Sequence, residues 1–329
     1  MPRYITVYSH PNCQFPIEDN ETILEAAQRH GIDIPSSCES GICSTCKGKV
    51  YQGNVTYRGR EIHGIDPDND DHEALFCVGH AETDITIDHP DIPPVYRAKQ
   101  HPHQVIGHEP VRDYLTRLRL KPVESKMPYL PGQYIELLDQ DKRYPLSIAS
   151  TPSDDFIELH IQTNANHETA DRILELCQLG QTITLRGPLG KAFWHPTGLP
   201  VIFIAGGSGY APIKSMLQAL IQQGFTQPIY LYWGVRDPKF LYEDAQLKAW
   251  ASQIEQLHYI PVISEPISEW TGRTGLVHQA VCEDFTTLSQ HVVYLAGPFP
   301  MSYAARDTFV EKGMPLSQMY SDAFAFEKR

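Results

Sequence analysis

The sequence predicts a three-part protein: a small mixed α+β unit, an antiparallel β-barrel and a doubly wound α/β domain. Three observations support this division. The chain has 329 residues, more than one domain usually holds. Four prolines in the aperiodic stretch 88–104 indicate a linker. Beyond residue 200 the pattern changes from alternating strands to a repeat of buried strand and helix.

Composition and charge narrow the class of protein. The chain is 41% hydrophobic and 20% charged, as globular proteins are, and its longest apolar run, at 201–205, is too short to cross a bilayer. No stretch resembling a signal peptide opens the sequence, so we expect a cytoplasmic protein. Residues 1–92 hold 16 acidic against 6 basic residues. This balance argues against nucleic-acid binding and fits either docking of a basic protein or solubility alone.

Residues 1–92 contain the patterns of the small α+β unit. Residues 3–8 alternate like a strand, and "NETILEAAQRHG" indicates a helix with Asn20 as its cap and Gly31 as its stop. The segments "GKVYQGNV" and "DITIDHP" add further strands. Residues 93–103 are the predicted linker.

Residues 104–198 form the predicted barrel and residues 199–329 the α/β domain. In "FIELHIQ" (156–162) apolar and polar residues alternate, which is typical of a half-buried antiparallel strand with its glutamate and histidine in solvent. We expect the histidines of "HPHQ" (101–104) to lie on the surface. In the α/β domain, ligands bind at the carboxyl ends of the strands.

The cysteines of the N-terminal unit carry the clearest chemical signal. Cys38, Cys43 and Cys46 lie in a loop rich in serine and glycine, and Cys77 follows 31 residues after Cys46. The spacing C-x4-C-x2-C with a distant fourth cysteine is that of a plant-type 2Fe-2S cluster. Four thiolates ligate its two irons, and small residues let backbone N–H groups approach the sulfurs.

Two other interpretations of these cysteines stay open, a structural zinc site and reduced structural thiols. Zinc ribbons usually bring two C-x2-C pairs, whereas this loop has one. A Rieske centre is excluded because the histidine ligands it needs do not occur at the required spacing. Cys13, Cys177 and Cys282 fit no motif, and we interpret them as ordinary thiols.

A glycine-rich turn opens the α/β domain. The segment 206–209, Gly-Gly-Ser-Gly, comes directly after a buried strand, and Pro212 stands in the first turn of the next helix. Glycine allows a ligand to approach closely, and a helix N-terminus presents unpaired N–H donors, so the turn suits phosphate. The turn is not G-x-G-x-x-G, and a plain connection between strand and helix is the alternative.

Further motifs extend this interpretation to a family. They are "RYPLSIAS" (143–150), "GGSGYAP", "YWGVR" (232–236), "GPFPM" (297–301) and "YSDAFAF" (320–326). Together they resemble the ferredoxin-NADP reductase superfamily. The C-terminal two thirds are similar to NAD(P)H:flavin oxidoreductases, and the whole chain resembles CDP-6-deoxy-3,4-glucoseen reductases. Reductase components of bacterial mono- and dioxygenases share the same domain order.

The resemblance implies a β-grasp ferredoxin domain at 1–92, an FAD-binding barrel at 104–198 and an NAD(P)H-binding domain at 199–329. It implies flavin-side contacts from Arg143, Tyr144, Pro145, Leu146, Ser147 and Thr169. The family's R-x-Y-S motif ends at Ser147, the implied catalytic residue beside the flavin N5 region. Leu146 replaces the usual aromatic residue, and Tyr144 takes the place of the arginine. A one-residue bulge would restore Arg143 to the flavin phosphates.

For the nicotinamide side the resemblance implies contacts from Gly206, Gly207, Ser208, Gly209, Pro212, Gly234, Arg236, Gly297, Pro298 and Met301. Ala296 stands where many relatives have a cysteine. Phe324 and Phe326 either cover the flavin ring or belong to the core. Arg236 reaches the adenosine ribose or a 2′-phosphate, and we expect NADH in preference to NADPH.

These implications combine into one predicted activity. Hydride passes from NAD(P)H to FAD, and the flavin releases single electrons to the 2Fe-2S cluster and so to a partner protein. The partner is a deoxysugar dehydrase or an oxygenase component that docks on the acidic N-terminal domain. The alternatives are a reductase of free flavin and, more remotely, a non-catalytic cluster or zinc sensor.

Overall fold

The computed structural model describes residues 3–8, 10–30, 32, 34–65, 72–89, 96, 98–163 and 168–326, except the side chains of 10–12 and 326. The chain divides into two compact units, Met1–Val95 and Tyr96–Arg329. The division lies inside the predicted linker 93–103, part of which falls outside the described residues, as does Gly31.

The N-terminal unit is a mixed sheet with one helix against it, the predicted β-grasp arrangement. The five-stranded sheet has the order β2-β1-β7-β3-β5, in which β1 and β7 are parallel, and β4 pairs with β6. The helix α1 (Ile23–Arg29) contributes four of its residues to the core. The strands are β1 (Arg3–Val7), β2 (His10–Ile17), β3 (Lys47–Gln52), β4 (Val55–Thr56), β5 (Glu73–Leu75), β6 (His80–Ala81) and β7 (Ile85–Asp88).

The cap of α1 is Thr22, so the prediction of Asn20 was wrong. The Thr22 hydroxyl accepts a hydrogen bond from the Glu25 amide at 3.2 Å, and the Glu25 carboxylate accepts one from the Thr22 amide at 2.8 Å. This reciprocal capping box satisfies two N–H groups that the helix leaves free, whereas Asn20 lies two residues too early to do so.

The barrel consists of six antiparallel strands in the order β11-β10-β13-β8-β9-β12. A bridge between Ile148 and Leu159 joins the two end strands and closes it. Aliphatic side chains, Tyr129 and Tyr144 fill the interior. The strands are β8 (Lys99–Arg112), β9 (Leu115–Pro122), β10 (Tyr134–Asp139), β11 (Lys142–Ser147), β12 (Ile157–Gln162) and β13 (Thr182–Leu189), with α2 at Glu168–Leu176.

Two expectations about the barrel were wrong for the same reason. Residues 101–104 belong to β8, and His103 is 1% exposed instead of lying on the surface. In β12, Glu158 and His160 are also buried, at 5% and 8% exposure. In each case tertiary neighbours cover a face that alternation alone assigns to water. The polar face of β12 packs against charged residues of the α/β domain.

The α/β domain is a parallel sheet of six strands in the order β17-β16-β15-β14-β18-β19. The central strand β14 is buried along its whole length. Because the order reverses between β14 and β18, their carboxyl ends form the switch point where such sheets bind ligands. The strands are β14 (Val201–Gly206), β15 (Ile229–Val235), β16 (Leu257–Ile263), β17 (Arg273–Thr274), β18 (Val292–Ala296) and β19 (Met319–Tyr320).

Helices cover both faces of this sheet, as the strand–helix repeat predicts. They are α3 (Tyr210–Gln222), α4 (Asp244–Gln253), α5 (Val277–Asp284) and α6 (Phe299–Glu311). Two separate apolar cores lie between the helices and the sheet. No helix in the described part of the chain is both long and apolar enough to span a membrane.

Candidate functional site

The loop that carries Cys38 and Cys43 wraps its own amides around their sulfurs. The Ser40 and Cys43 amides each donate to Cys38 Sγ at 3.4 Å, and the Cys38 amide donates to Cys43 Sγ at 3.5 Å. Gly41 has φ +81°, and a Cβ there would come 3.1 Å from the side chain of Val78. The tight turn therefore brings backbone donors to the sulfurs and requires glycine at this position.

The surroundings of Cys38 and Cys77 shift the pKa values of these two thiols in opposite directions. Hydrogen bonds from the Ser40 hydroxyl and from the amides of the loop lower the pKa of Cys38 to about 5. Burial, followed by the neighbouring Cys46, raises the pKa of Cys77 to about 12. Because the thiolate is the metal ligand, the exposed end of the loop is already prepared for metal binding, and Cys77 loses its proton when a metal binds.

The thiols fall into two pairs. Cys38 and Cys43 share the amide contacts of the exposed loop, while Cys46 and Cys77 are buried neighbours that share a hydrogen bond. Among the described residues, no three His, Cys, Asp or Glu side chains converge on a point that would hold one metal ion. A two-iron cluster takes four cysteines, two for each iron, and the two pairs supply that number.

Side chains outside the motif hold the loop in place. The Ser44 hydroxyl donates to the Gly64 carbonyl at 2.6 Å. His89, 6% exposed, lies with its Nε2 3.2 Å from the Thr45 carbonyl. Both contacts hold the backbone between Cys43 and Cys46. The cysteine spacing alone does not predict either Gly64 or His89 as a partner of this segment.

The C-terminal unit holds a cavity of about 1220 Å³ at the switch point of the α/β sheet. Its walls come from the end of β11 in the barrel, from the segments after β14, β15 and β18, and from the segment after β19. The volume exceeds the roughly 300–1,000 Å³ typical of a site for one drug-sized ligand, and so suits two cofactors side by side.

The glycine turn packs against the end of β18. A Cβ on Gly209 would lie 2.2 Å from the Ala296 carbonyl oxygen, so only glycine fits there. Within the described residues, no side chain caps the N-terminus of α3; the Tyr210 amide donates to the Gly207 and Ser208 carbonyls of the turn itself. Turn and helix end have the chemistry that a dinucleotide requires.

The cavity gathers thirteen of the predicted cofactor-binding residues. They are Pro145, Leu146, Ser147, Gly206, Gly207, Ser208, Gly209, Pro212, Gly234, Arg236, Gly297, Pro298 and Met301. Leu146 occupies the wall next to Ser147, where the family has its aromatic residue. The grouping brings the flavin motif and the nicotinamide motif to one space.

Four predicted residues do not line the cavity. Tyr144 points into the barrel core, whereas Arg143 shares its face of β11 with Pro145, so Arg143 is the better candidate for the phosphates. Thr169 is exposed in the first turn of α2. Phe324 is half-buried, with its ring centroid 6.3 Å from that of Tyr303 and 5.9 Å from the Arg306 guanidinium. The side chain of Phe326 lies outside the described residues.

Several residues of the cavity wall were missed by sequence reasoning. Asp322 accepts hydrogen bonds from the Lys191 and Ala192 amides at 2.9 and 3.2 Å, and burial raises its pKa. His160 and Tyr242 form another part of the wall. The motif "YSDAFAF" contains Asp322, but the sequence analysis predicted cofactor contacts only for its phenylalanines.

Comparison with known proteins agrees with this division of the chain. A 2Fe-2S iron-sulfur cluster binding domain matches residues 7–82. An oxidoreductase FAD-binding domain matches residues 106–194, and an oxidoreductase NAD-binding domain matches residues 203–307. All three predicted cofactors, the cluster, FAD and NAD(P)H, therefore have a matching domain.

Two curated relatives match the chain over nearly its whole length. The CDP-6-deoxy-L-threo-D-glycero-4-hexulose-3-dehydrase reductase of Yersinia pseudotuberculosis is 35% identical, covering 98% of this chain and 99% of its own. The anthranilate 1,2-dioxygenase electron transfer component of Acinetobacter baylyi is 27% identical, covering 94% and 92%.

Among solved structures, an Amycolatopsis cytochrome P450 reductase has a TM-score of 0.65 at 25% identity, covering 97% of this chain and 98% of its own. Coverage from end to end means that the order of the domains matches along with their folds. The chain belongs to the family of NAD(P)H-dependent iron–sulfur flavoprotein reductases, in which electrons pass from NAD(P)H through FAD and a 2Fe-2S cluster to a partner protein.

Proposed function

We propose that the partner of this reductase is the dehydrase of a deoxysugar pathway, a CDP-6-deoxy-hexulose 3-dehydrase, and that it docks over the cysteine loop. One observation carries the docking site: Cys38 and Cys43 are exposed, and Ile42 between them is 60% exposed, in a unit with a large acidic excess. An apolar centre with a charged surround is what a transient protein partner needs.

The residues of the C-terminal unit have separate tasks in this proposal. The first turn of α3 and the glycines before it would hold the coenzyme phosphates, and Arg236 would bind the adenosine ribose. Ser147, at the end of β11, would donate a hydrogen bond to the flavin. When bound, the coenzyme and flavin supply hydride transfer, and the cluster supplies single-electron transfer.

The amides of the cysteine loop support the same docking site. Hydrogen bonds to Cys38 and Cys43 stabilise negative charge on their sulfurs, and their exposure leaves that end of the loop close to any protein that covers Ile42. We also propose a cytoplasmic location, since cysteine thiolates that ligate a cluster stay reduced in such a compartment.

The test measures NADH oxidation with a CDP-6-deoxy-hexulose 3-dehydrase as acceptor, and with ferricyanide as a small acceptor. Ile42→Asp is expected to raise the KM for the dehydrase about tenfold, roughly 1.4 kcal/mol, and to leave ferricyanide reduction unchanged. Leu316→Asp is the matched control, because Leu316 is 63% exposed on the other unit. Equal effects of the two variants, or no turnover with the dehydrase, would contradict the proposal.

A further inference from the structure

A cluster of buried charged side chains joins the barrel to the nucleotide-binding domain. Lys214 on α3 donates to Glu158 on β12 at 2.8 Å and to Glu243, just before α4, at 2.7 Å. Arg117 on β9 donates to Glu243 at 2.8 Å. The side chains of Lys214, Glu158 and Glu243 are only 10%, 6% and 8% exposed. Each carboxylate is therefore neutralised by a cation from the other domain.

His160 connects this charged cluster to the cavity. Its Nε2 lies 3.1 Å from a Glu158 carboxylate oxygen, and its Nδ1 lies 2.9 Å from the Tyr242 hydroxyl. Burial lowers the pKa of His160, so the ring is neutral, with Nε2–H donating to Glu158 and Nδ1 accepting from Tyr242. His160 and Tyr242 together form part of the cavity wall.

From Tyr242 the contacts continue to the glycine turn. The Tyr242 ring meets the Trp233 ring edge-on with centroids 5.0 Å apart. Trp233 Nε1 donates to the Gly207 carbonyl at 2.9 Å. A buried path of direct contacts thus runs from Glu158 in the barrel to the coenzyme-binding turn.

The helix that follows this turn is also fastened to the barrel. The Ser215 hydroxyl, next to Lys214, donates to the Ser150 carbonyl at 2.5 Å. The Ser150 hydroxyl in turn accepts from the Glu158 amide at 3.0 Å. Ser150 lies three residues after Ser147. These two hydrogen bonds and the charged cluster together hold α3 beside the strand that carries the flavin motif.

We propose that Lys214 is a positioning residue, which fixes the coenzyme-binding turn against the flavin-binding strand through Glu158 and Glu243. Burying charges costs desolvation energy that a well-packed apolar contact avoids, so stability alone is a weak reason for such a cluster. Its bonds are directional and join two domains, which is what alignment of two cofactors requires. The inference concerns the electron-donor side and holds whichever protein accepts the electrons.

The test follows flavin reduction by NADH in anaerobic stopped flow with the holoprotein. Lys214→Met is expected to slow reduction at saturating NADH at least tenfold, while the Kd for NAD⁺ and the flavin content change less than about threefold. Lys214→Arg, which keeps the charge, should recover the rate to within about threefold. Arg172→Met is the matched control, because the ion pair of Arg172 with Asp139, at 2.9 Å, joins two residues of the same domain, the barrel.

The outcomes separate alignment from stability. A lower melting temperature for Lys214→Met with a normal reduction rate would overturn the proposal, and so would an equal loss of rate in Arg172→Met. If Lys214→Met does not fold, Glu158→Gln carries the same criterion, since it removes one charge and keeps the shape of the side chain. A wild-type holoprotein that NADH does not reduce would instead refute the reductase activity itself.

Discussion

The cysteine loop draws most of its site from neighbouring residues, whereas the cofactor cavity draws its site from residues far apart in the sequence. The loop places three of its four ligands within nine residues and stabilises them with its own amides. The cavity assembles residues from Tyr114 to Ala323 and depends on contacts between two domains. A local site can be recognised from spacing alone, whereas a site made of distant segments shows itself only after folding.

Loss of one cluster ligand is expected to have the largest effect on activity. Only the steps that need the cluster should be affected. Cys43→Ser should remove the cluster and reduce electron delivery to the protein acceptor by more than the roughly 100-fold that loss of an outer-shell partner can cost. NADH-dependent ferricyanide reduction should stay within about twofold of wild type, because the flavin site lies in the other unit. Iron content and the visible spectrum measure the first effect.

The control for this variant is Cys282→Ser, which removes a half-buried thiol of α5 outside the loop. It should retain iron and activity. Normal iron content in Cys43→Ser would show that the loop does not hold the cluster as proposed.

A change at the glycine turn should act on the cavity alone. A Cβ on Gly209 would meet the backbone of Ala296 and Gly297 at 2.2 and 2.7 Å, and backbone atoms cannot move aside cheaply. Gly209→Ala is therefore expected to raise the KM for NADH about tenfold, roughly 1.4 kcal/mol, with the cluster intact. Steady-state assays with ferricyanide give the value, and Gly198→Ala, with no atom within 4 Å, is the control.

Acid should destabilise the unit that contains the cavity through His103. Burial lowers the pKa of this histidine, whereas in the unfolded chain it titrates near its ordinary value of about 6.5. The unfolded state therefore binds more protons as the pH falls below 6.5, so the free energy of unfolding decreases by up to about 1.4 kcal/mol per pKa unit of difference. Above pH 6.5 the term is constant.

Urea unfolding of His103→Leu between pH 7 and 5 checks this term. The variant should show a shallower loss of stability than wild type. Identical slopes for the two proteins would mean that His103 is not the group that titrates. His160 adds to the same trend, since its pKa is also lowered by burial.

The smallest expected effect concerns the choice of coenzyme. Arg236 Nε lies 4.0 Å from the Glu265 carboxylate, and both side chains are largely exposed. Glu265→Gln removes a negative charge near the adenosine end of the cavity and frees Arg236 for a 2′-phosphate. The ratio of kcat/KM for NADPH to that for NADH should rise about two- to fivefold, the scale of a surface ion pair. An unchanged ratio would show that the Arg236–Glu265 pair does not influence the choice between NADPH and NADH.

The difference between the two sites also explains how much the sequence could predict. The fold class, the three cofactors and the reductase activity are confirmed. Strand and helix periods and the cysteine spacing, which are local signals, predicted the folds and the cluster, and the family resemblance implied FAD, NAD(P)H and the activity. The individual site residues stay predictions. Thirteen of them share one cavity, since strand ends and turns of a parallel sheet meet at one edge.

Apart from the cap of α1, which is a local feature, the failures involve contacts between distant residues. The placement of Glu158 and His160 in solvent was wrong because only the folded chain brings Lys214 and Tyr242 to them. Alternation along β11 predicts that Tyr144 and Arg143 point to opposite sides, but the sequence does not say which side is the barrel interior. The burial of His103 follows from the pairing of β8 with two strands, one of which begins 79 residues later.

The wall that Asp322 forms has a consequence for the order of synthesis. Residues 319–323 add β19 to the sheet and cover the amides of Lys191 and Ala192, and they are translated after every other segment of the cavity. A nascent chain can fold its ferredoxin unit and its barrel while the ribosome is still working. It gains the segment that completes the wall of this cavity only when residues 320–323 emerge.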